Sequence, residues 1–443
     1  MAQTIYALAS GKGRAGVAVI RISGPDTDMV LNALLGGTLP SPRKAVRAWL
    51  RDPDNDELID DGLVLRFCAP ASYTGEDVAE IHIHGGRAIQ QRLFQVLDRQ
   101  PGLRMAEPGE FTKRAFGNGK MDLTEAEGVI DLIDAETEAQ RQQALRQVKG
   151  ELGDLYHQWA ERITRILAYY EAEIDFADED LPDDIGQETK PQISELIALI
   201  DNHLNDNRRG ERLRDGVHIA LIGPPNAGKS SLLNLLAQRE AAIVSDIAGT
   251  TRDVLEVHLD LGGFPVVVSD TAGLRDTDDV IEKEGVRRAV EAAERSDICV
   301  LVVDLSDPTN AERGDIARYM EVADLVVFNK TDRTDGISGP LAPKNNVKIS
   351  VKDGSGVSEM LANIGSLVES RFGLTEAPVI TRERHRSALV EARENLARAL
   401  TAPEVSLAAE DLRMALRAVG RITGRVGVEE LLDVIFRDFC IGK

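Results

Sequence analysis

The chain has 443 residues, 43% of them hydrophobic, and a formal net charge of -22 at pH 7. That length predicts about three domains with ample apolar material for their cores, and the acidic balance argues against sequence-independent nucleic-acid binding as the main activity, because such binding is driven by neutralising phosphates. Cys68, Cys299 and Cys440 are too far apart for a disulfide framework or a metal cluster, and with neither an apolar run of about eighteen residues nor a basic-then-apolar leader the expectation is a soluble, cytoplasmic protein with no membrane partner.

In chain order, residues 1–118 read as a small α/β domain, with strand character at 4–9, 17–22, 63–67 and 78–83 and helical spacing at 89–97. Gly11-x-Gly13-x-x-Gly16 matches a dinucleotide fingerprint letter for letter. The residues after it continue as a strand, however, where the fingerprint needs a helix to receive a pyrophosphate, so a glycine-rich turn is predicted instead. His82 and His84 alternate with Ile81 and Ile83 and so share one strand face; with no third ligand in view, a solvated face is favoured over a zinc site.

Residues 119–215 turn helical. Leu155, Trp159, Ile163, Ile166, Tyr170 and Ile174 step by three or four, as do Ile193, Leu196, Ile197, Ile200 and Leu204. The acidic stretch 171–188 between them is expected to be a solvated linker. Arg208, Arg209, Arg212 and Arg214 then mark a boundary, as a solvated face or, more boldly, an RNA contact.

Residues 216–371 alternate strand and helix, as a doubly wound sheet would. An apolar strand at 217–222 feeds Gly223-x-x-x-x-Gly228-Lys229-Ser230, a phosphate-binding loop. Its glycines let backbone N–H groups converge on phosphate oxygens, Lys229 reaches the β/γ oxygens, and the Ser230 hydroxyl suits Mg2+. Further elements follow in the order of a guanine-nucleotide switch. Thr250-Thr251 offers a hydroxyl to the metal shell, Asp270-Thr271-Ala272-Gly273 ends a strand, and Asn329-Lys330-Thr331-Asp332 follows another. The Asp332 carboxylate can accept from guanine N1–H and its exocyclic amine, which adenine does not offer, and Ser350-Val351-Lys352 would back the ring. Ras-like proteins place a glutamine just after the Asp-x-x-Gly element; here Leu274 stands there, so another group must orient water. Glu282 is the candidate, with Arg252 or Arg275 for charge and Asn226 for a monovalent cation. Residues 372–443 return to helical spacing, which makes the nucleotide domain an insertion in a split helical domain. The fold class is therefore a multidomain α/β and α protein.

These motifs, together with Gly249-Thr-Thr-Arg-Asp253, Asp270-Thr-Ala-Gly-Leu-Arg275 and the terminal Cys440-Ile441-Gly442-Lys443, resemble the MnmE (TrmE) family of tRNA-modifying GTPases over essentially the whole length. The resemblance implies GTP and GDP contacts from Asn226, Ala227, Gly228, Lys229, Ser230 and Ser231; from Ser245, Asp246, Ile247, Ala248, Gly249, Thr250 and Thr251; from Asp270, Thr271, Ala272 and Gly273; and from Asn329, Lys330, Asp332, Ser350, Val351 and Lys352. It implies Mg2+ on Ser230 and Thr251, and K+ on Asn226, Ser245, Ile247 and Thr250, with K+ drawing the G domains of a homodimer together. Glu282 would orient the attacking water. The N-terminal domain would dimerise and carry 5-formyl- or methylenetetrahydrofolate on Arg21, Glu80 and Lys120, with Lys443 reaching over. A flavoprotein partner, MnmG, would join in a heterotetramer, supplying FAD and NADH chemistry, to add a carboxymethylaminomethyl or aminomethyl group at C5 of the wobble uridine of certain tRNAs. Cys440 would sit near folate and base; taken alone, a cysteine after Phe436 and Phe439 reads equally as a small buried residue. Two alternatives share the G domain: a regulatory GTPase of ribosome assembly, and a folate enzyme with a vestigial GTPase.

Overall fold

The computed structural model describes residues 3–175, 184–239, 241–243, 256–270, 296–306, 314–333, 345–373, 375, 377–427, 432, 435–437 and 439–442. They form two compact units, one of Met1–Ile130 with Val419–Lys443, the other of Asp131–Ala418.

In the first unit the strands β1 (Thr4–Leu8), β2 (Ala15–Ser23), β3 (Val46–Arg51), β4 (Leu58–Phe67), β5 (Val78–Gly85) and β6 (Leu103–Met105) make one sheet in the order β3-β4-β5-β2-β1-β6. The strands β1 and β6 run parallel and the other pairs antiparallel. Period-two alternation divides its faces. Ile20, Ile22, Ile81 and Ile83 point into a core shared with Leu31 and Leu34 of α1 (Thr27–Leu35) and Leu93 and Leu97 of α2 (Arg87–Asp98). Arg21, Glu80, His82 and His84 fall on the opposite face, and the antiparallel register sets Arg21 directly against Glu80. The sequence pattern does not announce α1 or β3: nine residues are too few for a periodic signal, and Val46–Arg51 is an edge strand interleaving arginines with apolar residues. Farther along, α3 (Glu110–Gly117) and α4 (Leu123–Asp134) follow, and Leu123 and Ala126 pack with Phe436 and Phe439.

The second unit holds α5 (Glu138–Val148), α6 (Glu151–Asp175), α7 (Asp184–Leu204) and α8 (Arg209–Asp215), and a second sheet. Its strands β7 (Val217–Ile222), β8 (Glu256–Leu261), β9 (Phe264–Asp270), β10 (Ile298–Asp304), β11 (Leu325–Asn329) and β12 (Asn346–Lys348) lie in the order β12-β11-β10-β7-β9-β8, parallel except for β8. Near-continuous apolar runs such as Ile298 to Val303 fit strands covered on both faces. One face packs on α9 (Lys229–Ala237) and the helix Val357–Phe372, the other on Ile316 and Tyr319 of the helix Gly314–Val322.

Two expectations change. The acidic stretch is not a linker at its start or end, because α6 runs through Asp175 and α7 begins at Asp184, with Glu171 paired to Arg413 at 2.7 Å; only 176–183 lie outside the described residues. Glutamate favours helix, and Tyr170 is still buried, so the period carries on. The arginines before β7 form α8 and are drawn into ion pairs and carbonyl contacts: Arg212 with Asp297 at 2.7 Å, Arg214 with Asp131 at 3.2 Å, and Arg209 with the Arg371 carbonyl at 3.2 Å. Only Arg208, about half exposed and paired with Glu383, keeps a solvent-facing character. A solvated face therefore does not describe the set.

Candidate functional site

The phosphate loop is shaped by two glycines that nothing else can replace. Gly223 leaves β7 at φ +138°, where a Cβ would lie 2.2 Å from the Val302 carbonyl oxygen of the neighbouring β10. Gly228 enters α9 at φ +100°, where a Cβ would lie 2.3 Å from Asn329 Nδ2. Between them the Lys229 ammonium, 7% exposed, donates to the carbonyls of Gly223 (2.9 Å) and Pro224 (3.0 Å). Burial pushes its pKa down and Asp270 partly offsets this. Such a poorly hydrated cation at a helix start gains much from an anion.

Ser230 donates from Oγ to Oδ2 of Asp270, a carboxylate 2% exposed at the end of β9. A hydroxyl and a buried carboxylate converging at the phosphate loop are the hard oxygen donors Mg2+ prefers, so these two residues fit that ion. Bound there, it would neutralise phosphate charge.

At the other end of the site, Asn329 holds the loops together. Its Nδ2 donates to the Ala227 carbonyl at 2.9 Å, and its Oδ1 accepts from the amides of Lys330 (2.8 Å) and Val351 (3.2 Å). Lys330, at φ +64°, donates to the Asn226 carbonyl at 2.8 Å and pairs with Asp304. Ser350 Oγ donates to Asp332 Oδ1 at 3.1 Å, and Lys352 lies 3.7 Å from Oδ2, so the carboxylate expected to read the base is oriented from behind. The structure thus brings together Asn226, Ala227, Gly228, Lys229, Ser230, Asp270, Asn329, Lys330, Asp332, Ser350, Val351 and Lys352. Ser231 follows on the exposed side of α9. Ser245, Asp246, Ile247, Ala248, Gly249, Thr250, Thr251, Arg252, Thr271, Ala272, Gly273, Leu274, Arg275 and Glu282 lie outside the described residues. Of the K+ set only Asn226 is described, at φ +64° and exposed.

In the first unit, Arg21 donates to Glu80 Oε1 from Nε (3.1 Å) and Nη2 (2.9 Å). Its guanidinium also stacks over Tyr73, 5.1 Å from the ring centroid, and Phe111 at 5.7 Å. His82 Nε2, 3.9 Å from Glu80 Oε2, is buried with no hydrogen-bond partner among the described residues. A bound group offering polar hydrogens and a flat ring suits this face, as a pterin would. Lys120 donates to the Pro70 carbonyl at 3.0 Å, and Lys443 lies outside the described residues. His84 is taken by Asp60 at 2.8 Å. Cys440 is exposed, which counts against a small buried residue, and its carbonyl accepts from the Gly109 amide at 3.4 Å.

Sequence reasoning missed Asp304, Tyr73 and Phe111. Asp304 carried a signal, a carboxylate closing an apolar strand, in register with Asn329; the two rings carried none, since only the fold sets them beside Arg21.

Residues 4–120 match the family model described as GTP-binding protein TrmE N-terminus, and residues 123–440 that described as MnmE helical domain. The chain is 54% identical over 445 residues to the tRNA modification GTPase MnmE of Parvibaculum lavamentivorans, covering 100% of both chains. It is 54% identical over 444 residues to that of Paramagnetospirillum magneticum, again covering 100% of both. It is also 47% identical over 466 residues to the mitochondrial 5-taurinomethyluridine-[tRNA] synthase subunit GTPB3 of Danio rerio, covering 99% of this chain and 93% of that one.

Proposed function

This chain belongs to the MnmE (TrmE) family and is a GTP hydrolase acting in tRNA modification, and from that premise we propose that GTP turnover drives the addition of a carboxymethylaminomethyl or aminomethyl group to C5 of the wobble uridine. The observation that carries the nucleotide half is the convergence of Lys229, Ser230 and Asp270 at the ends of β7 and β9. Arg21 and Glu80, backed by Tyr73 and Phe111, support a tetrahydrofolate as the one-carbon donor. The redox step is assigned to a flavoprotein partner, MnmG, because such chemistry requires a flavin or nicotinamide and the one fingerprint in this chain leads into a strand.

In the hydrolytic step water attacks the γ-phosphorus and GDP leaves. Lys229 and Mg2+ on Ser230 and Thr251 would hold the phosphates, and Glu282 would orient the water that Leu274 has no polar atom to hold. K+, on Asn226 with backbone groups of Ser245, Ile247 and Thr250, would draw two G domains of a homodimer together. Nucleoside analysis of tRNA from a strain lacking the gene is expected to show wobble uridines without the C5 substituent. Intact wobble uridines would favour a GTPase of ribosome assembly. Hydrolysis rates in K+ against Na+ test the cation, and equal rates would remove it.

A further inference from the structure

The run Gly11-x-Gly13-x-x-Gly16 plays no part in the site so far. It runs from the loop after β1 into the first residues of β2, and residues 11–17 are all exposed. A methyl group added at any of the three glycines would meet nothing within 4 Å among the described residues, and only Gly13, at φ +120°, needs glycine for its backbone. Internal packing therefore does not call for glycine at 11 or 16. A bare backbone there leaves room for something external to approach its N–H groups.

Lys12 and Arg14 stand between these glycines, both exposed, and neither has a carboxylate within salt-bridge reach among the described residues. Three other arginines of this unit are paired with carboxylates, Arg66 with Asp28, Arg92 with Asp52 and Arg114 with Glu76. In a chain with a net charge of -22, two neighbouring cations without a carboxylate partner among the described residues give this loop a local positive charge that attracts polyanions.

Gly442 lies against the foot of this loop. A Cβ on Gly442 would be 2.0 Å from the Leu8 carbonyl oxygen and 3.1 Å from Ala9 Cα, so the two backbones touch. Ile441 bridges to Pro108, and the Gly109 amide holds the Cys440 carbonyl. The exposed Cys440 is thereby fixed within two residues of a backbone that leads straight into the cationic loop.

We propose that residues 10–16 bind backbone phosphates of the tRNA anticodon loop, through Lys12, Arg14 and the open amides, and hold the wobble nucleotide beside Cys440. This rests on the wobble-uridine function proposed above. Phosphate contacts of this kind position a substrate and leave sequence reading to other groups.

The test is binding of a fluorescent anticodon stem-loop to the full chain across about 50–200 mM salt. Replacing Lys12→Gln and Arg14→Gln together is expected to lower the slope of log affinity against log salt by about 1.4, two single-strand phosphates at roughly 0.7 each. A second variant, Gly11→Val with Gly16→Val, keeps both charges and is expected to weaken binding about tenfold by filling the open space, at an unchanged thermal midpoint. A charge variant that matches the unaltered chain in affinity and slope overturns the proposal. So does a glycine variant that binds normally, or an unaltered chain that binds no stem-loop. Failure of the underlying function shows separately, as intact wobble nucleosides when the gene is deleted.

Discussion

Lys330 donates from Nζ to the backbone carbonyl of Asn226 at 2.8 Å while pairing with Asp304, so the motif Asn329 to Asp332 clasps the phosphate loop at the residue expected to hold K+. Asp304 is fixed in turn by Ser306, which donates to its Oδ1 from the amide at 2.9 Å and from Oγ at 2.6 Å. Replacing Lys330→Ala removes the charge-assisted bond and leaves Asp304 without its cation. Hydrogen bonds to charged groups contribute about 1.5–3 kcal/mol, so GTP affinity is expected to fall by about ten- to a hundredfold. Equilibrium displacement of a fluorescent GTP analogue measures this; undiminished affinity would mean the clasp does nothing for nucleotide.

Gly228→Ala should be more severe. The added Cβ would sit 2.3 Å from Asn329 Nδ2 with the backbone at φ +100°, so relief requires moving the side chain that ties Ala227, Lys330 and Val351 together. The left-handed backbone alone costs roughly 1–2 kcal/mol. GTP binding is expected to vanish in isothermal titration, while the helical segments, which share no hydrogen bond with Asn329 among the described residues, keep their circular dichroism. Retained binding would show that the loop can reshape around a methyl group.

How much of this was legible follows from the range of each interaction. The placement of the phosphate loop, Asp270 and the Asn329 to Asp332 motif was readable because it is set by backbone spacing within a few residues and by the buried strands before them. Arg21 and Glu80 were reached only by resemblance, since 59 residues separate them and strand register alone makes them neighbours. The partners of Arg212 and Arg209 were illegible for the same reason: Asp297 and the Arg371 carbonyl arrive from distant strands and helices. Composition pointed to solvent for these arginines and for the acidic stretch, because average exposure is all that composition reports, and helix continuation and pairing overrode it.

The pair Arg212–Asp297 gives a prediction whose size depends on pH. Asp297, its side chain 9% exposed, has its pKa raised chiefly by burial, which the His218 amide, Arg212, His218 and Arg371 only partly offset. Arg212→Ala strands that carboxylate at neutral pH, and breaking such a pair costs about 3–5 kcal/mol. A carboxyl with a raised folded-state pKa is least favourable when ionised, so acidification through that pKa protonates it and should shrink the penalty. Calorimetric midpoints of the variant and the unaltered chain are expected to differ most at neutral pH and to approach each other as pH falls; a constant gap would assign Arg212 to packing alone.

His203 gives a second contribution that is lost as pH falls. Burial drives its pKa down to about 4, with Asp206 opposing and Arg386 assisting. Tyr156 places its hydroxyl 3.2 Å from Nε2, within hydrogen-bond distance. Trp159, whose centroid lies 5.4 Å away, walls the ring, so a charged imidazole there would be poorly solvated. A base with a depressed folded-state pKa supplies its stability in full above the unfolded value near 6.5 and loses it as pH falls toward 4, because only the unfolded chain takes up the proton in that window. The interval corresponds to roughly 3 kcal/mol. His203→Phe cannot titrate and keeps the ring volume, paying once for the lost Tyr156 bond at every pH. The stability gap between the two chains, followed by denaturant unfolding, is therefore expected to narrow between about pH 6.5 and pH 4; a gap that stays level across that window would mean His203 is charged in the folded protein.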